Sequence, residues 1–390
     1  MRIAAIYFPT SSVGGINSVL VALRKAALDE GDTFEVIESG IQATVSAGKY
    51  AEPTLIRGGD TFITVHGRAS HHPSQIAYTR RWLEANYDAL YFAYIVPHPT
   101  KDYVEPFFLE LYVATRLPKV AFITDAYWDT YAEWAVEALP WVQKCFVTNP
   151  AYAEPIIAAG VSVEAANTPF YPLPVDPGIG RSEEPYAVWT SQWKQIKCVN
   201  QLVPVIPAIS EVAKFDLFSN GIRYYQFRCR NPEKRDSLYD DWYRAVGTDY
   251  FGGPDFNGSG RADFYGYQPL EMIPNILSVA WWMLDWQGLH KPRHKAYING
   301  SYNCTAIEAL YYGACPLLAE QARKSSLPKD TFLTIAKAEE AAPLIRDSAE
   351  FALDPDRRAH AREYVNDVHH ARVLYRKIKE AYGVYACSGQ

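Results

Sequence analysis

Residues 301–318 read SYNCTAIEALYYGACPLL and carry the pattern that decides the fold. A loop of small polar residues leads into a helical segment that ends at Gly313, and Pro316 opens a short apolar run. The pattern predicts a loop, a helix and a strand in that order. Such a loop leaves backbone N–H groups unpaired at the amino end of a helix, which suits a phosphate. Glu308 lies about one turn into the helix, where its carboxylate can accept hydrogen bonds from the two hydroxyls of a ribose.

The same alternation of short apolar runs with helical patterns extends over the whole chain of 390 residues. It predicts parallel sheets built from β-α-β units. The stretch 168–177, TPFYPLPVDP, can continue neither a helix nor a central strand, so we expect it to be a linker. We therefore predict an α/β protein with two doubly wound Rossmann-like domains facing a central cleft, residues 1–175 and 176–345, followed by a helical tail over 346–390.

Composition excludes several classes of protein. Apolar residues make up 48% and charged residues 21% of the chain, so a folded core is expected rather than disorder. The sequence contains no apolar run long enough to span a membrane, and the apolar run near the amino terminus is too short for a secretory signal. The six cysteines are scattered without a metal-ligand spacing, which favours a reducing cytoplasm over a disulfide framework or a zinc site.

Charge and aromatic content bear on the partner. The net charge of −6 does not indicate a strongly basic nucleic-acid binder, and any site for a polyanion would be a local patch. Acidic residues exceed basic ones over 1–180, whereas 181–390 is nearly neutral. Aromatic residues make up 14% of the chain. They indicate either ordinary packing or a groove that stacks on the rings of sugars or bases.

Residues 308–319 resemble the E-A-x-A-x-G-x-P-V-V-A segment of retaining GT-B glycosyltransferases. In that family the Glu holds the ribose of a nucleotide-sugar donor, so the resemblance assigns Glu308 to this role. Gly300 stands where the family often has a second Glu that contacts the transferred sugar. We expect Asn303 and Thr305, in the loop and at the start of the helix, to lie beside the donor diphosphate. An ordinary helix with an exposed Glu is the alternative interpretation.

Two further segments resemble parts of the same family. Residues 188–203, VWTSQWKQIKCVNQLV, resemble the segment whose Arg and Lys neutralise the leaving diphosphate. Lys197 matches the family Lys, and Lys194 is expected to replace the missing Arg as a point charge. Gly14 and Gly15 resemble the Gly-Gly loop whose backbone approaches the donor phosphates and the acceptor, although a plain tight turn is an equally good interpretation.

Polar residues follow three predicted strands of the amino-terminal half. Asp125 and His66 are expected to orient the acceptor hydroxyl or to take its proton, with a capping Asp and a satisfied His as the alternatives. This half more specifically resembles bacteriophage DNA α-glucosyltransferases, in which an Asp serves the acceptor. The resemblance is carried by residues 87–97, 117–125 and 143–149 and by the pair Trp193-Lys194.

Together these features predict a retaining glycosyltransferase whose donor is a nucleotide sugar, expected to be a UDP-sugar, with no obligatory metal. A hydroxymethylated base in double-stranded phage DNA is preferred as acceptor over a saccharide or a small molecule. The basic-aromatic cluster 223–235 fits DNA phosphates. The basic residues of the tail also fit DNA phosphates; they are Arg372, Arg376, Lys377 and Lys379. A solvated helix face is the more ordinary interpretation of these four residues.

Two rival functions stay open at this point. Gly300 and the missing family Arg favour a non-catalytic GT-B relative that binds a nucleotide sugar. A sugar-nucleotide epimerase shares the scaffold and is the weaker rival. The expected location is the cytoplasm, which is that of the host if a phage encodes the chain.

Overall fold

The computed structural model describes residues 1–7, 15–39, 63–65, 73–92, 114–123, 142–148, 153–158, 160–191, 198–218, 262–265, 268–286, 289 and 304–388. The chain divides into two compact units. Unit 1 comprises residues 1–171 and 368–390, and unit 2 comprises residues 172–367.

The described residues form strands and helices that are numbered here in chain order. The strands are β1 (Arg2–Tyr7), β2 (Thr33–Ser39), β3 (Ile63–Val65), β4 (Ala89–Phe92), β5 (Lys119–Ile123), β6 (Lys144–Val147), β7 (Ser162–Ala165), β8 (Tyr186–Trp189), β9 (Lys214–Phe218), β10 (Ala262–Tyr265), β11 (Trp282–Asp285), β12 (Cys315–Ala319) and β13 (Leu333–Ile335). The α-helices are α1 (Gly15–Asp29), α2 (Pro73–Asn86), α3 (Ala153–Ala158), α4 (Val199–Leu202), α5 (Ile206–Val212), α6 (Ile273–Val279), α7 (Cys304–Tyr312), α8 (Ala341–Asp347), α9 (Ala349–Leu353), α10 (Pro355–Tyr364) and α11 (Ala371–Ser388).

Unit 1 contains a parallel sheet with the strand order β3-β2-β1-β4-β5-β6-β7. Its central strands β4 and β5 are buried along their whole length. Such uninterrupted burial is typical of parallel strands that are covered by helices on both faces. The order reverses between β1 and β4, which is the doubly wound arrangement that the sequence predicts.

Unit 2 repeats this arrangement in a second parallel sheet with the order β10-β9-β8-β11-β12-β13. Strands β8, β11 and β12 are fully buried, and the winding reverses between β8 and β11. The repetition confirms the prediction of an α/β protein with two doubly wound units.

The last two helices of the chain belong to different units. The sequence places residues 346–390 in a separate tail, whereas α10 belongs to unit 2 and α11 belongs to unit 1. The physical reason is that each helix buries an apolar stripe in its own unit. On α11 this stripe includes Leu374, Tyr375 and Ile378, and it packs against α1 and β5.

Basic residues on α11 lie opposite acidic residues of unit 1. The ion pairs are Arg372 with Asp29 (2.7 Å), Arg376 with Glu30 (2.9 Å), Lys377 with Glu164 (2.7 Å) and Lys379 with Asp32 (2.6 Å). The four basic residues that the sequence offers either to DNA phosphates or to solvent are therefore used to bind α11 to its own unit.

None of the helices that the structure describes combines the length and the apolar character that crossing a bilayer demands.

Candidate functional site

The carboxyl ends of β8 and β11 lie side by side in unit 2. Ala187 pairs with Trp282 and Val188 pairs with Met283, so both strands end at the same edge of the sheet. The winding of the sheet reverses between these two strands. In open α/β sheets, ligands bind at the carboxyl edge of the sheet at this point of reversal.

Three buried polar atoms at this edge have no hydrogen-bond partner within the described part of the chain. They are Thr190 Oγ1 and Ser191 Oγ, directly after β8, and Trp286 Nε1, directly after β11. Leaving a buried polar atom unpaired costs about 1–3 kcal/mol, so native proteins keep few such atoms without a reason. Their concentration at the point of reversal makes this edge a candidate site for a ligand that would complete their hydrogen bonding.

Packing holds these groups in place. Trp286 is fully buried, and its ring contacts that of Trp189 edge-on with the ring centroids 6.1 Å apart. Trp189 Nε1 donates a hydrogen bond to the carbonyl oxygen of Ser191 over 3.2 Å. The edge-on ring pair and this bond fix the chain where it leaves β8, and so they pre-organise the polar atoms.

Helix α7 begins at the same edge because it connects the carboxyl end of β11 with the amino end of β12. Thr305 and Glu308 lie on its first two turns, and both residues are half-buried. The helix ends at Tyr312, and Gly313 follows it with φ +89°. A left-handed residue after the last turn is a usual helix end, and this one confirms the predicted end of the helix at Gly313.

Burial raises the pKa of Glu308 to about 7. The carboxyl group therefore keeps its proton to a higher pH than an ordinary glutamate does. Hydrogen-bond donors such as vicinal hydroxyls would stabilise its ionised form and replace the hydration that burial removes. Glu308 is thus suited to accept hydrogen bonds from a polar ligand.

The approach to α4 shows backbone strain. Cys198 is buried and has φ +60°, in the left-handed region that residues other than glycine seldom adopt. It directly follows Lys197, and α4 begins at the next residue. Strain of this kind costs about 1–3 kcal/mol, and it is found more often at ligand-binding turns than elsewhere.

The structure places only some of the residues that the sequence selects. It brings Thr305 and Glu308 together on α7, and it places Gly15 at the first position of α1 in unit 1. The other selected residues lie outside the described residues; they are His66, Asp125, Gly14, Lys194, Lys197 and Asn303. The roles of all these residues stay predictions.

Sequence reasoning missed Thr190, Ser191 and Trp286. A signal for the first two was available, because small hydroxyl residues directly follow the fully apolar run 186–189. No such signal marks Trp286, because its position in the sequence does not distinguish it from the other apolar residues of the core.

Where the structure describes the chain, it brings together no group of three His, Cys, Asp or Glu side chains that could hold an ion. That the reaction has no obligatory metal stays a prediction.

Comparisons with known proteins give a match in structure and none in sequence. No protein-family model matches the chain, and no curated protein matches it. The solved structure of HepE from Anabaena in complex with UDP-glucose matches with a TM-score of 0.62 and 12% identity, over 98% of this chain and 100% of that chain. The chain has the GT-B fold.

Two further solved structures extend the GT-B comparison. TarM of S. aureus, in complex with UDP and α-GlcNAc-glycerol, has a TM-score of 0.62 and 9% identity over 98% of this chain and 100% of that chain. An α-glucosyltransferase in complex with UDP and a 13-mer DNA containing an HMU base has a TM-score of 0.63 and 10% identity, over 98% of this chain and 99% of that chain. The repeated winding of the two sheets agrees with the two Rossmann-like domains of GT-B proteins.

Proposed function

We propose that this chain is a glycosyltransferase that moves a sugar from a UDP-sugar to an acceptor hydroxyl with retention of anomeric configuration. The observation that carries the proposal is the set of unpaired buried polar atoms on Thr190, Ser191 and Trp286, at the carboxyl edge where Glu308 enters on α7. This edge offers hydrogen-bonding groups and a carboxylate at the position where Rossmann-like sheets hold nucleotides.

The structural neighbours support a uridine nucleotide as the donor. HepE was solved with UDP-glucose, and TarM and the α-glucosyltransferase were solved with UDP. In the proposal, Glu308 accepts hydrogen bonds from the ribose hydroxyls. Thr305 and Asn303 lie beside the diphosphate.

Lys197 and Lys194 are proposed to neutralise the leaving diphosphate. The support for this role is their place in the sequence between β8 and α4. The strained residue Cys198, which follows Lys197, supports this proposal, because such strain is found more often at ligand-binding sites than elsewhere. The amides of Gly14 and Gly15 are proposed to approach the diphosphate as well.

The reaction breaks the bond between the anomeric carbon and the phosphate oxygen of the donor. The electron pair of that bond leaves with UDP, and an oxocarbenium-like transition state forms on the sugar. The acceptor oxygen then bonds to the anomeric carbon on the face that UDP leaves, and its proton passes to the departing phosphate oxygen. Asp125 or His66 orients the acceptor hydroxyl, and positive charge on Lys197 and Lys194 stabilises the leaving group. No metal is needed for this balance.

For the acceptor we propose a hydroxymethylated base in double-stranded DNA. Support comes from the α-glucosyltransferase that was solved with DNA containing an HMU base, and from the basic-aromatic cluster 223–235. The basic residues of α11 no longer support this choice, because they pair with carboxylates of unit 1. A saccharide or small molecule is the alternative acceptor, and the glycerol glycoside bound to TarM supports it.

The test is incubation with UDP-sugars and either hydroxymethylated DNA or oligosaccharides, followed by mass spectrometry of the products. The proposal expects release of UDP and a hexose added to a nucleoside. It also expects a loss of turnover of about 100-fold or more in Lys197→Ala and Glu308→Ala, with Glu350→Ala, an exposed residue on α9, as the unchanged control. Absence of UDP release with every acceptor, or full turnover in both site variants, would contradict it.

A non-catalytic nucleotide-sugar-binding protein is the second candidate. Two differences from the resembled family favour it. Gly300 stands in place of a Glu that contacts the transferred sugar, and the Arg that neutralises the diphosphate is missing. Saturable UDP-sugar binding without turnover would identify this alternative. The proposed location is the cytoplasm, and the buried Cys145 and Cys315 are free thiols, as expected there.

A further inference from the structure

Three arginines meet at the carboxyl end of α7, the end opposite to Thr305 and one turn from Glu308. The last two residues of the helix and the glycine that follows present consecutive carbonyl oxygens, and each oxygen accepts a hydrogen bond from a different arginine. The pairs are Arg362 Nε with Tyr311 O (3.1 Å), Arg181 Nη2 with Tyr312 O (3.2 Å) and Arg357 Nη2 with Gly313 O (3.1 Å).

Arg357 is the most buried of the three arginines, with 4% of its surface exposed. Its other hydrogen bonds also go to carbonyl oxygens, at the end of α9 and ahead of β13. Helix carboxyl ends carry partial negative charge, so they act as counter-charges for a buried guanidinium group. The acceptors are Phe351 O (3.0 Å), Ala352 O (2.9 Å) and Thr331 O (3.0 Å).

Arg181 bridges two helix ends. It donates to Ala280 O, directly after α6, and to Tyr312 O at the end of α7. Burial, and after it the positive charges of the neighbouring Arg358, Arg357 and Arg362, lower the pKa of Arg181 to about 10. Repulsion between these cations is unfavourable unless the partial negative charge of the helix carbonyl oxygens offsets it. The hydrogen bonds that provide this compensation also fix the carboxyl end of α7.

The segment that contains Arg181 makes a second attachment to the same turn. Tyr312 Oη accepts a hydrogen bond from Leu173 N (2.7 Å) and donates one to Leu173 O (3.0 Å). Gly313 permits the close approach, because a Cβ atom there would lie 2.6 Å from Arg181 Nη2. The last turn of α7 is thus held from one side by residues 173–181 and from the other by α10.

A fixed carboxyl end determines where the amino end lies. Helix α7 has nine residues, or about 13 Å of length, and a helix this short behaves as a rigid rod. Rotation or sliding at Tyr312 would displace Glu308, one turn away on the same face, by a similar amount. Displacements of about 1 Å in a binding group are enough to cost much of its effect.

We propose that Arg181, supported by Arg357 and Arg362, is a positioning residue that sets the place of Glu308 through the carboxyl end of α7. This inference rests on the proposed function, in which Glu308 holds the ribose of the donor. Arg181 lies at the opposite end of the helix from the ligand and acts through α7.

The first test is a double-mutant cycle read by calorimetric titration with UDP. Arg181→Met is expected to weaken UDP binding about tenfold, and Arg181→Lys, which keeps the charge but cannot bridge both carbonyls as well, less than that. In a Glu308→Gln background the same Arg181→Met change is expected to cost under threefold, because coupled residues do not add. Arg346→Met, an exposed arginine on α8, serves as the control with no effect.

Two results of this cycle would overturn the proposal. One is a tenfold loss that persists in the Glu308→Gln background. The other is a lowered melting temperature of Arg181→Met with unchanged UDP affinity, which a purely structural role would give.

The second test needs no ligand and separates this inference from the proposed function. Amide hydrogen exchange of the free protein is expected to rise at residues 308–312 in Arg181→Met, with β8, β11 and the Arg346→Met control unchanged. A uniform rise over unit 2 would refute the anchoring of α7. Absence of UDP binding by the unmodified chain together with a local rise would refute the proposed function and leave the anchoring intact.

Discussion

Lys379 Nζ lies 2.6 Å from Asp32 Oδ2 and joins the last helix of the chain to a loop of unit 1 from which it is separated by almost the whole sequence. Tyr375 Oη donates to the same oxygen over 2.8 Å, and the amino group of Met1 lies 2.6 Å from the other carboxylate oxygen. Asp32 is buried, so these three donors replace its lost hydration. The basic face of α11 is therefore part of how unit 1 is held together.

Replacing Asp32 is expected to weaken this attachment. Burial alone would raise the pKa of Asp32, but the hydrogen bonds from Lys379, the Met1 amino group and Tyr375 outweigh it and lower the pKa to about 2. Asp32→Asn should lower the free energy of unfolding of unit 1 by about 2 kcal/mol at pH 7. Urea unfolding followed by circular dichroism measures it.

The pH dependence provides the control for that prediction. Because the folded pKa is depressed from the ordinary 3.8, the stabilisation is present above about pH 4 and is lost as the pH falls towards 2. Arg376→Met, which removes an exposed pair with Glu30, should cost under about 1 kcal/mol. Equal losses in Asp32→Asn and Arg376→Met would show that the buried cluster has no special role.

Glu308→Gln is expected to stabilise the unliganded protein at alkaline pH. The pKa of Glu308 is raised from 4.5 to about 7, so ionisation of the folded state is penalised. Wild-type stability should fall as the pH rises from about 4.5 through 7, and the variant should avoid a loss of up to about 3 kcal/mol. Thermal melts between pH 4 and pH 9 test this, and Glu350→Gln should follow the wild type throughout.

UDP affinity should show the opposite trend in the wild type. An ionised carboxylate accepts ribose hydroxyls better than a neutral one, so affinity is expected to rise as the pH increases through about 7. Titration of UDP at pH 6 and pH 8 measures the change. Glu308→Gln should bind at least tenfold more weakly at pH 8 and should lose this dependence, and an unaltered pH profile in the variant would argue against Glu308 as the ribose ligand.

Replacing the unpaired hydroxyls that follow β8 with apolar groups should affect thermal stability and UDP affinity differently. Thr190→Val and Ser191→Ala each remove a buried hydroxyl that has no partner among the described residues. Each is expected to leave the melting temperature unchanged or slightly higher, while weakening UDP binding several-fold. Stability comes from thermal melts and affinity from calorimetry. Lower stability with intact UDP binding would mean that the hydroxyls serve the fold.

Gly313→Ala should damage the end of α7. Its φ of +89° is strained for any other residue, and the new Cβ would displace Arg181. We expect a loss of about 1–3 kcal/mol in the free energy of unfolding, measured in urea. Gly178→Ala is the matched control, because nothing lies within 4 Å of a Cβ there and its φ is not positive. Similar losses in both variants would contradict the account of Gly313.

Much of the fold could be predicted because continuous apolar runs in the sequence indicate the buried strands of both sheets. The run 186–189 is apolar throughout and the run 120–123 is apolar after Lys119, as buried parallel strands are, and the structure places β8 and β5 there. The short edge strands β7 and β13 could not be predicted, since they are partly exposed and carry no apolar run. Their pairing with β6 and β12 is a tertiary effect.

Proline explains another difference between sequence and structure. Apolar spacing predicts one helix over 199–209, but the structure has α4, a 3₁₀ turn over Val203–Val205, and then α5. Pro204 has no N–H to continue the helical hydrogen bonding, so the helix breaks there.

The site could be predicted only where a local motif carries it. Glu308 and Gly313 stand in a contiguous pattern, and their helix lies where that pattern places it. Arg181 and Arg357 meet the same helix end from positions far apart in the chain, and no local pattern reports such a meeting. The unpaired atoms after β8 and β11 become visible only once the two strands are known to be neighbours.

Calorimetric titration of the full chain with UDP, ADP and GDP tests the central claim most directly. The account predicts a single UDP site that is preferred over the other two nucleotides, is weakened at least tenfold in Glu308→Ala and is unchanged in Glu350→Ala. Absence of binding by all three nucleotides at millimolar concentration, or undiminished UDP binding in Glu308→Ala, would contradict the claim that unit 2 holds the nucleotide of a sugar donor.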